Sequence, residues 1–366
     1  VTNGNNYEKK TVKLVTSLDF NSSKSYVEPF RSDYGKYGYD GELKTMLTSG
    51  EGFKSIGITT TDDRARNFSG TFDGNNNFIN NLYINITNLS GTEKRGLFAN
   101  NYGIISNIQL SNVNMTINVP ENQNKQQLGG ICGQNDGTID SCSVSGKISL
   151  NCSSGIVAGI TPYEGSNSSI TRSVNKADIT IIGNTSNSGA GGICASLGGI
   201  INNCYNEGFI YGKTAEQGSI FIGGIAGYGS GQIKNCYNIG DLNAYSQNVL
   251  FIGGIIGNVY DSSYEVSSCY SIGEVEGEGI TEIAKGKVIG RNWGSGSVFS
   301  IFYNETAGIQ GIGKANIPEN LGKDSEMKKT NDFMKDEGFL ELLNINENTW
   351  KIEKNKNKGY PILNWQ

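Results

Sequence analysis

Asp241 and Glu274 are 33 positions apart, and each follows a glycine in a matching phrase, Gly240-Asp241-Leu242 and Gly273-Glu274-Val275. If the two phrases lie in adjacent layers of a repeating fold, the carboxylates stand about 5 Å apart, as the pair of a retaining glycosidase does. The same phrase position elsewhere holds Lys147, Asp178 and Phe209. No third catalytic group or basic clamp accompanies the pair, so charges on a solvated face are the simpler reading. A second chemistry resides in the aromatics Tyr102, Tyr163, Tyr228, Tyr260, Tyr264 and Trp293, which follow glycine-rich phrases along the chain. Repeated on one edge, such rings stack on sugars or anchor a protein partner.

Other chemistries are excluded by composition. Histidine is absent from the 366 residues, which removes the commonest zinc ligand and every Ser-His or Cys-His arrangement. The seven cysteines are odd in number and include no Cys-x-x-Cys, so neither a metal site nor a complete disulfide set is expected. No cofactor is expected. A net charge of -5 leaves no basic footprint for nucleic acid. The longest run of apolar residues and glycine, residues 249–257, is far shorter than the roughly 18 to 20 residues of a spanning helix, so no membrane insertion is expected. The chain starts at Val1 without a signal-peptide pattern and is expected to be a segment of a longer precursor.

What must position these residues is a repeat. Its clearest copy runs Gly223-Gly224-Ile225-Ala226-Gly227, a short turn, then Ile233-Lys234-Asn235-Cys236-Tyr237-Asn238-Ile239-Gly240-Asp241-Leu242. Copies align on Ile108, Cys142, Ser173, Cys204, Cys236, Cys269 and Ile301, with spacings of 34, 31, 31, 32, 33 and 32 residues. Within a copy apolar residues alternate over short stretches broken by Gly, Asn and Ser, the pattern of strands. Glycine is abundant, 51 residues against 5 prolines, as many tight turns require. Three strands are expected per copy: the glycine-isoleucine phrase, the Ile-x-Asn-Cys phrase and the Gly-x-Leu phrase. The fold class that follows is all-β, a three-sided parallel β-helix (β-solenoid) of about 32 residues per coil and seven to eight coils, with coils about 4.8 Å apart.

The column from Ile108 to Ile301 is expected to point inward, with its cysteines as free thiols behaving as small hydrophobes. Stacked neighbours come within the Cα range of a disulfide, yet their parallel side chains fit the bond poorly. The adjoining column Ser143, Val174, Tyr205, Tyr237, Tyr270 and Phe302 should face the other way. Asn203 and Asn235 are expected to form a structural amide ladder. Both ends of a solenoid need covering. Residues 1–65 are assigned to an N-terminal cap with a short helix over 41–48, residues 66–310 to the coils, and residues 311–366 to a C-terminal cap. That cap is expected to carry a helix over 324–343 with Asp324 or Ser325 as N-cap.

The repeat resembles the GLUG-motif repeat of bacterial cell-surface proteins, in which a Gly-Leu-x-Gly phrase precedes an Asn-Cys or Cys-Tyr phrase. Gly96-Leu97-Phe98-Ala99 is its nearest spelling here. Residues 14–20 and 70–74 are similar to the lead-in of such regions, and residues 359–363 to their closing phrase. The resemblance implies an extracellular, non-catalytic segment of the kind found in adhesins and beside the catalytic parts of immunoglobulin A metalloproteases, whose His-Glu-x-x-His zinc site this chain lacks. The expected function is adhesion, binding or spacing on a bacterial surface. The expected partner is a host surface protein or glycan, met by a monomer within a larger chain. The alternative is a carbohydrate-active β-helix, a polysaccharide hydrolase or lyase using Asp241 and Glu274.

Overall fold

A computed structural model describes residues 6–20, 50–57, 67–89, 91–184, 187–215, 218–260, 263–305, 308–315, 327–345 and 347–366. The chain winds as an all-β parallel solenoid of about seven turns. One coil illustrates the rest. Ile220–Gly223 lies in a sheet here called C, Ala226–Gly229 in sheet B, and Gln232–Lys234, Tyr237–Asn238 and Leu242–Ser246 in sheet A. Each pairs in parallel with its counterpart one coil on: Ile220 with Leu250, Ala226 with Ile256, Ile233 with Val266, Tyr237 with Tyr270 and Leu242 with Val275. Among the described residues, sheet B is eight strands deep and sheet C seven.

The three sides are therefore not the three phrases read from the sequence. The glycine phrase is a corner between two strands, and the strand before it, such as Ile220–Gly223, is a side of its own. Glycine is required there because successive corners almost touch. A Cβ on Gly224 would fall 2.2 Å from the Gly254 carbonyl oxygen and 2.3 Å from the Asn238 amide carbon.

The long side, sheet A, is bent where the residue before the Cys column takes a left-handed conformation. Asn107, Ser141, Arg172, Asn203, Asn235, Ser268 and Ser300 all have φ between +44° and +57°. Asn enters this region at low cost among non-glycine residues, which explains its recurrence. Asn203 and Asn235 do not form the expected ladder. Asn235 instead donates to the Asn202 side chain at 3.2 Å and to Glu347 Oε2 at 3.1 Å. The amide ladder runs through Asn175, Asn206 and Asn238, linked by 2.7 and 2.8 Å bonds and fully buried.

The core is a stack of identical layers. Ile139, Ile170, Ile201, Ile233, Val266 and Val298 form one buried column in direct register, so each coil buries its apolar face only against its neighbours. The Cys column is buried too, and all seven cysteines are free thiols. Their role is more specific than filling space. Where the left-handed bend interrupts the ladder, the next coil's side chain accepts the stranded backbone N–H. Ser173 Oγ accepts from Cys142 at 3.2 Å, and the Sγ atoms of Cys204, Cys236 and Cys269 accept from Ser173, Cys204 and Cys236 at 3.4 Å each. Each group also donates to the carbonyl two residues back, as Cys236 Sγ does to Lys234 at 3.0 Å. Ile108 and Ile301 occupy the ends of the column and are likewise buried.

Both terminal segments contribute strands to sheet A. Thr11–Lys13 pairs with Thr71–Asp73, and Leu18–Asp19 with Phe78–Asn80, so the lead-in supplies strands to sheet A. The helix expected over 41–48 lies outside the described residues, as do Asp324 and Ser325. At the other end Lys328–Lys329 extends sheet A beyond Ser297–Asn304. A short α1 helix, Glu337–Leu343, follows with Asp336 as its N-cap, its side chain accepting from Phe339 N at 3.1 Å. The chain then runs back along the flank of sheet A and covers the aromatic column. Tyr205, Tyr237 and Tyr270 stack with ring centroids 4.7 and 5.1 Å apart. Trp350 lies 5.9 and 5.5 Å from the last two, and Phe339 5.2 Å from Phe302. The column faces away from the main core, and the C-terminal segment turns it into a second one.

Candidate ligand-binding groove

One set of side chains from sheets B and C stands outside the solenoid. On sheet B, Tyr163, Ser196, Tyr228, Asn258, Arg291 and Lys314 share a register column. On sheet C the matching column is Ile156, Gly189, Phe221 and Phe251. The two sheets meet at the glycine corner in a re-entrant angle. Ile156, Ala158 and Ala195 are consequently fully buried although they belong to a cluster separate from the main core, with Tyr163 and Tyr228 packed over them.

Further along, this angle opens into a groove of about 550 Å³ lined by Lys125, Ser154, Asn187, Phe221, Tyr228, Asn258, Tyr260 and Arg291. Tyr228 packs edge-on to Phe221 with centroids 5.4 Å apart, and Tyr260 lies 6.3 Å from Tyr228. Gly189 makes room for the Tyr228 ring, whose Cε1 would be 2.7 Å from a Cβ there. Lys125 Nζ donates to the Tyr228 hydroxyl at 3.4 Å. At the other end the Arg291 guanidinium lies 4.0 Å from the Phe251 ring centroid and 4.5 Å from that of Trp293, and its Nε donates to Asn258 Oδ1 at 3.0 Å. Burial lowers the Arg291 pKa, opposed by the charge of Glu282, but a guanidinium remains a cation in proteins.

Of the six aromatics singled out by sequence, Tyr228, Tyr260 and Trp293 come together here. Tyr260 is 50% exposed and Trp293 48%. Tyr163 sits nearby in the middle of its strand, not in a turn, against the Ile156 cluster. Tyr102 follows Phe98–Asn101 five coils from Tyr260, roughly 24 Å along the axis at the usual strand spacing. Tyr264 is only 3% exposed, packed beneath Gly296, and presents no ring to a ligand. Sequence reading did not find Phe221 or Phe251, because it assigned no strand ahead of the glycine phrase, nor Lys125, Asn258 or Arg291, which look like ordinary solvated polar residues. The available signal was the pair of equivalent apolar stretches, residues 219–223 and 249–253, each with phenylalanine at the same place.

Asp241 and Glu274 occupy equivalent positions in adjacent coils, in a column with Lys147, Asp178 and Phe209. Asp241 Oδ1 accepts the Glu274 backbone N–H at 2.8 Å, as Asp178 accepts that of Phe209 at 3.4 Å. Glu274 is paired with the fully buried Lys287, whose Nζ also donates to the Gly273 carbonyl at 3.0 Å. Each carboxylate thus has a structural partner. The thiols are also quiet: burial pushes the Cys142 thiol up to about 12 and raises those of Cys194 and Cys236 well above the ordinary range, which suppresses thiolate chemistry. No group of His, Cys, Asp and Glu suited to a metal ion occurs among the described residues, and none of their helices is long and apolar enough to cross a membrane.

Residues 126–149 match the GLUG motif. This stretch begins with the sheet C strand Gln126–Gly129 and passes through the corner at Gly130-Ile131, one coil beyond Gly96-Leu97-Phe98-Ala99. Halomucin of Haloquadratum walsbyi is 29% identical over 121 residues, which are 32% of this chain and 1% of halomucin. A crystal structure from Bacteroides ovatus, provisionally named an immunoglobulin A1 protease, superposes with a TM-score of 0.53 at 18% identity, covering 98% of this chain and 86% of that one. At that identity the likeness is one of fold. The chain is a parallel β-solenoid that carries the GLUG motif.

Proposed function

We propose that this solenoid is an extracellular, non-catalytic binding module of a bacterial surface protein, and that the groove between sheets B and C contacts its ligand, a glycan. The observation that carries the reading is the convergence of Phe221, Tyr228 and Tyr260 with the hydrogen-bonding groups of Asn187, Asn258 and Arg291 in one groove. Flat rings for sugar faces and fixed polar groups for hydroxyls are the two elements of a sugar site. The straight stack of coils supplies the rigid support such a site needs. The GLUG motif and the similarity to halomucin over 32% of the chain favour a setting outside the cell.

A glycan and host-protein array tests this, run on the chain and on a Tyr228→Ala, Tyr260→Ala, Trp293→Ala variant whose circular dichroism matches the parent. A glycan bound by the parent and lost in the variant supports the reading. Binding unaffected by the triple change refutes the groove, binding confined to proteins refutes the glycan, and new reducing or unsaturated ends in bound polysaccharide refute a non-catalytic role.

A further inference from the structure

We infer that the Arg291 end of the groove is a subsite for a sugar carboxylate, so that the module selects acidic glycans of the uronate or sialate type; this rests on the groove being a glycan site. The chain is acidic overall, with 35 Asp and Glu against 30 Lys and Arg. The groove lining reverses that balance: among the described residues it contains Lys125 and Arg291 and no carboxylate. Glu282 acts on Arg291 through its charge but is itself bonded to Lys314 Nζ at 2.6 Å.

The geometry of Arg291 specifies the ligand chemistry further. Rings of Phe251 and Trp293 hold the guanidinium, and Asn258 takes Nε. No ion pair of Arg291 occurs among the described residues, and the two terminal nitrogens make no bond to them. Those nitrogens form a planar fork that matches the two oxygens of a carboxylate. Partial burial beside aromatic rings lessens the competition from water and strengthens such a pair relative to an exposed one. Trp293, half exposed, stands against the guanidinium, and the half-exposed Tyr260 lines the same groove, so both can meet the ring that bears the carboxylate.

The test compares a galacturonic acid tetramer with its methyl ester, and 3′-sialyllactose with lactose, by titration calorimetry on the chain and on Arg291→Gln. A charge-assisted bidentate pair implies a preference of roughly tenfold or more for the acid over its neutral partner in at least one pair. Arg291→Gln should erase that preference, bringing the acid and its neutral partner to equal affinity. Equal affinity for acid and neutral forms, or a preference that survives in Arg291→Gln, overturns the subsite while leaving a sugar groove. Failure of all four sugars to bind overturns the acidic subsite, while the glycan groove itself stands or falls on the array. The parent chain's acid-to-neutral ratio decides the matter even where the variant folds poorly.

Discussion

Replacing Cys236 separates two accounts of the cysteine column. If the thiols serve only as small apolar fillers, Cys236→Val and Cys236→Ala should be milder than Cys236→Ser, because serine puts a hydroxyl at a fully buried position. The structure predicts the reverse order. Cys236 Sγ is the acceptor of the Cys204 backbone N–H at 3.4 Å and donates to the Lys234 carbonyl at 3.0 Å. Ser173 already performs both tasks two positions along the column, accepting from Cys142 at 3.2 Å and donating to Thr171 at 2.8 Å. Serine therefore preserves both bonds and should cost under about 1 kcal/mol. Valine or alanine strands a buried N–H and a carbonyl, and an unsatisfied buried group costs about 1 to 3 kcal/mol. Alanine cannot overpack, so agreement between it and valine removes steric strain as an explanation. Urea unfolding at constant slope reads the difference as a shift of midpoint. A valine or alanine variant as stable as the serine variant would refute the reasoning and leave the thiols as fillers.

Two further outcomes follow from buried groups. Glu164 is 1% exposed and accepts from Asn135 Nδ2 at 3.0 Å, and burial raises its pKa well above the model-compound value of 4.5. Its protonated form is favoured in the folded chain, so its contribution to stability is fully present below about 4.5 and is lost as pH rises through the elevated folded value. Glu164→Gln should raise the thermal midpoint at neutral pH and flatten its pH dependence above 4.5; an unchanged pH profile would count against a buried proton. Trp350→Ala should detach the C-terminal segment from Tyr237 and Tyr270 at a cost of about 3 to 5 kcal/mol, read as rapid tryptic cleavage around Lys351 while the solenoid's circular dichroism persists. Protease resistance equal to the parent's would show that the segment is held by other contacts.

The candidate groove was half legible. Tyr228, Tyr260 and Trp293 stand out in sequence because they follow a recurring glycine phrase, and register places them together. Arg291 does not stand out, since a lone arginine in a strand looks like any solvated charge. Its meaning depends on Phe251, 40 residues earlier in the chain and on another sheet, which supplies one of the rings against which it is held. Tyr264 shows the opposite failure: its spacing suits an exposed edge, but the chain at Gly296 closes over it.

What the sequence determined by itself was the repeat and all that a repeat enforces. A period near 32 residues, short alternating stretches and glycine at each corner leave few folds other than stacked coils, because a single coil cannot bury its inner face alone. The inward column, the in-register neighbours and the equivalence of Asp241 with Glu274 all follow from that period. The tertiary structure decided what lies outside the repeat and between its sides. The angle between sheets B and C, which makes the groove concave and buries Ile156, is set by how the corners pack and leaves no periodic trace. The C-terminal segment lies along the aromatic column because Tyr205, Tyr237 and Tyr270 offer a continuous apolar strip that Trp350 and Phe339 can cover. Hydrophobic burial is non-directional, so the sequence showed that such a strip needed a cover while only the folded chain determined which segment provides it.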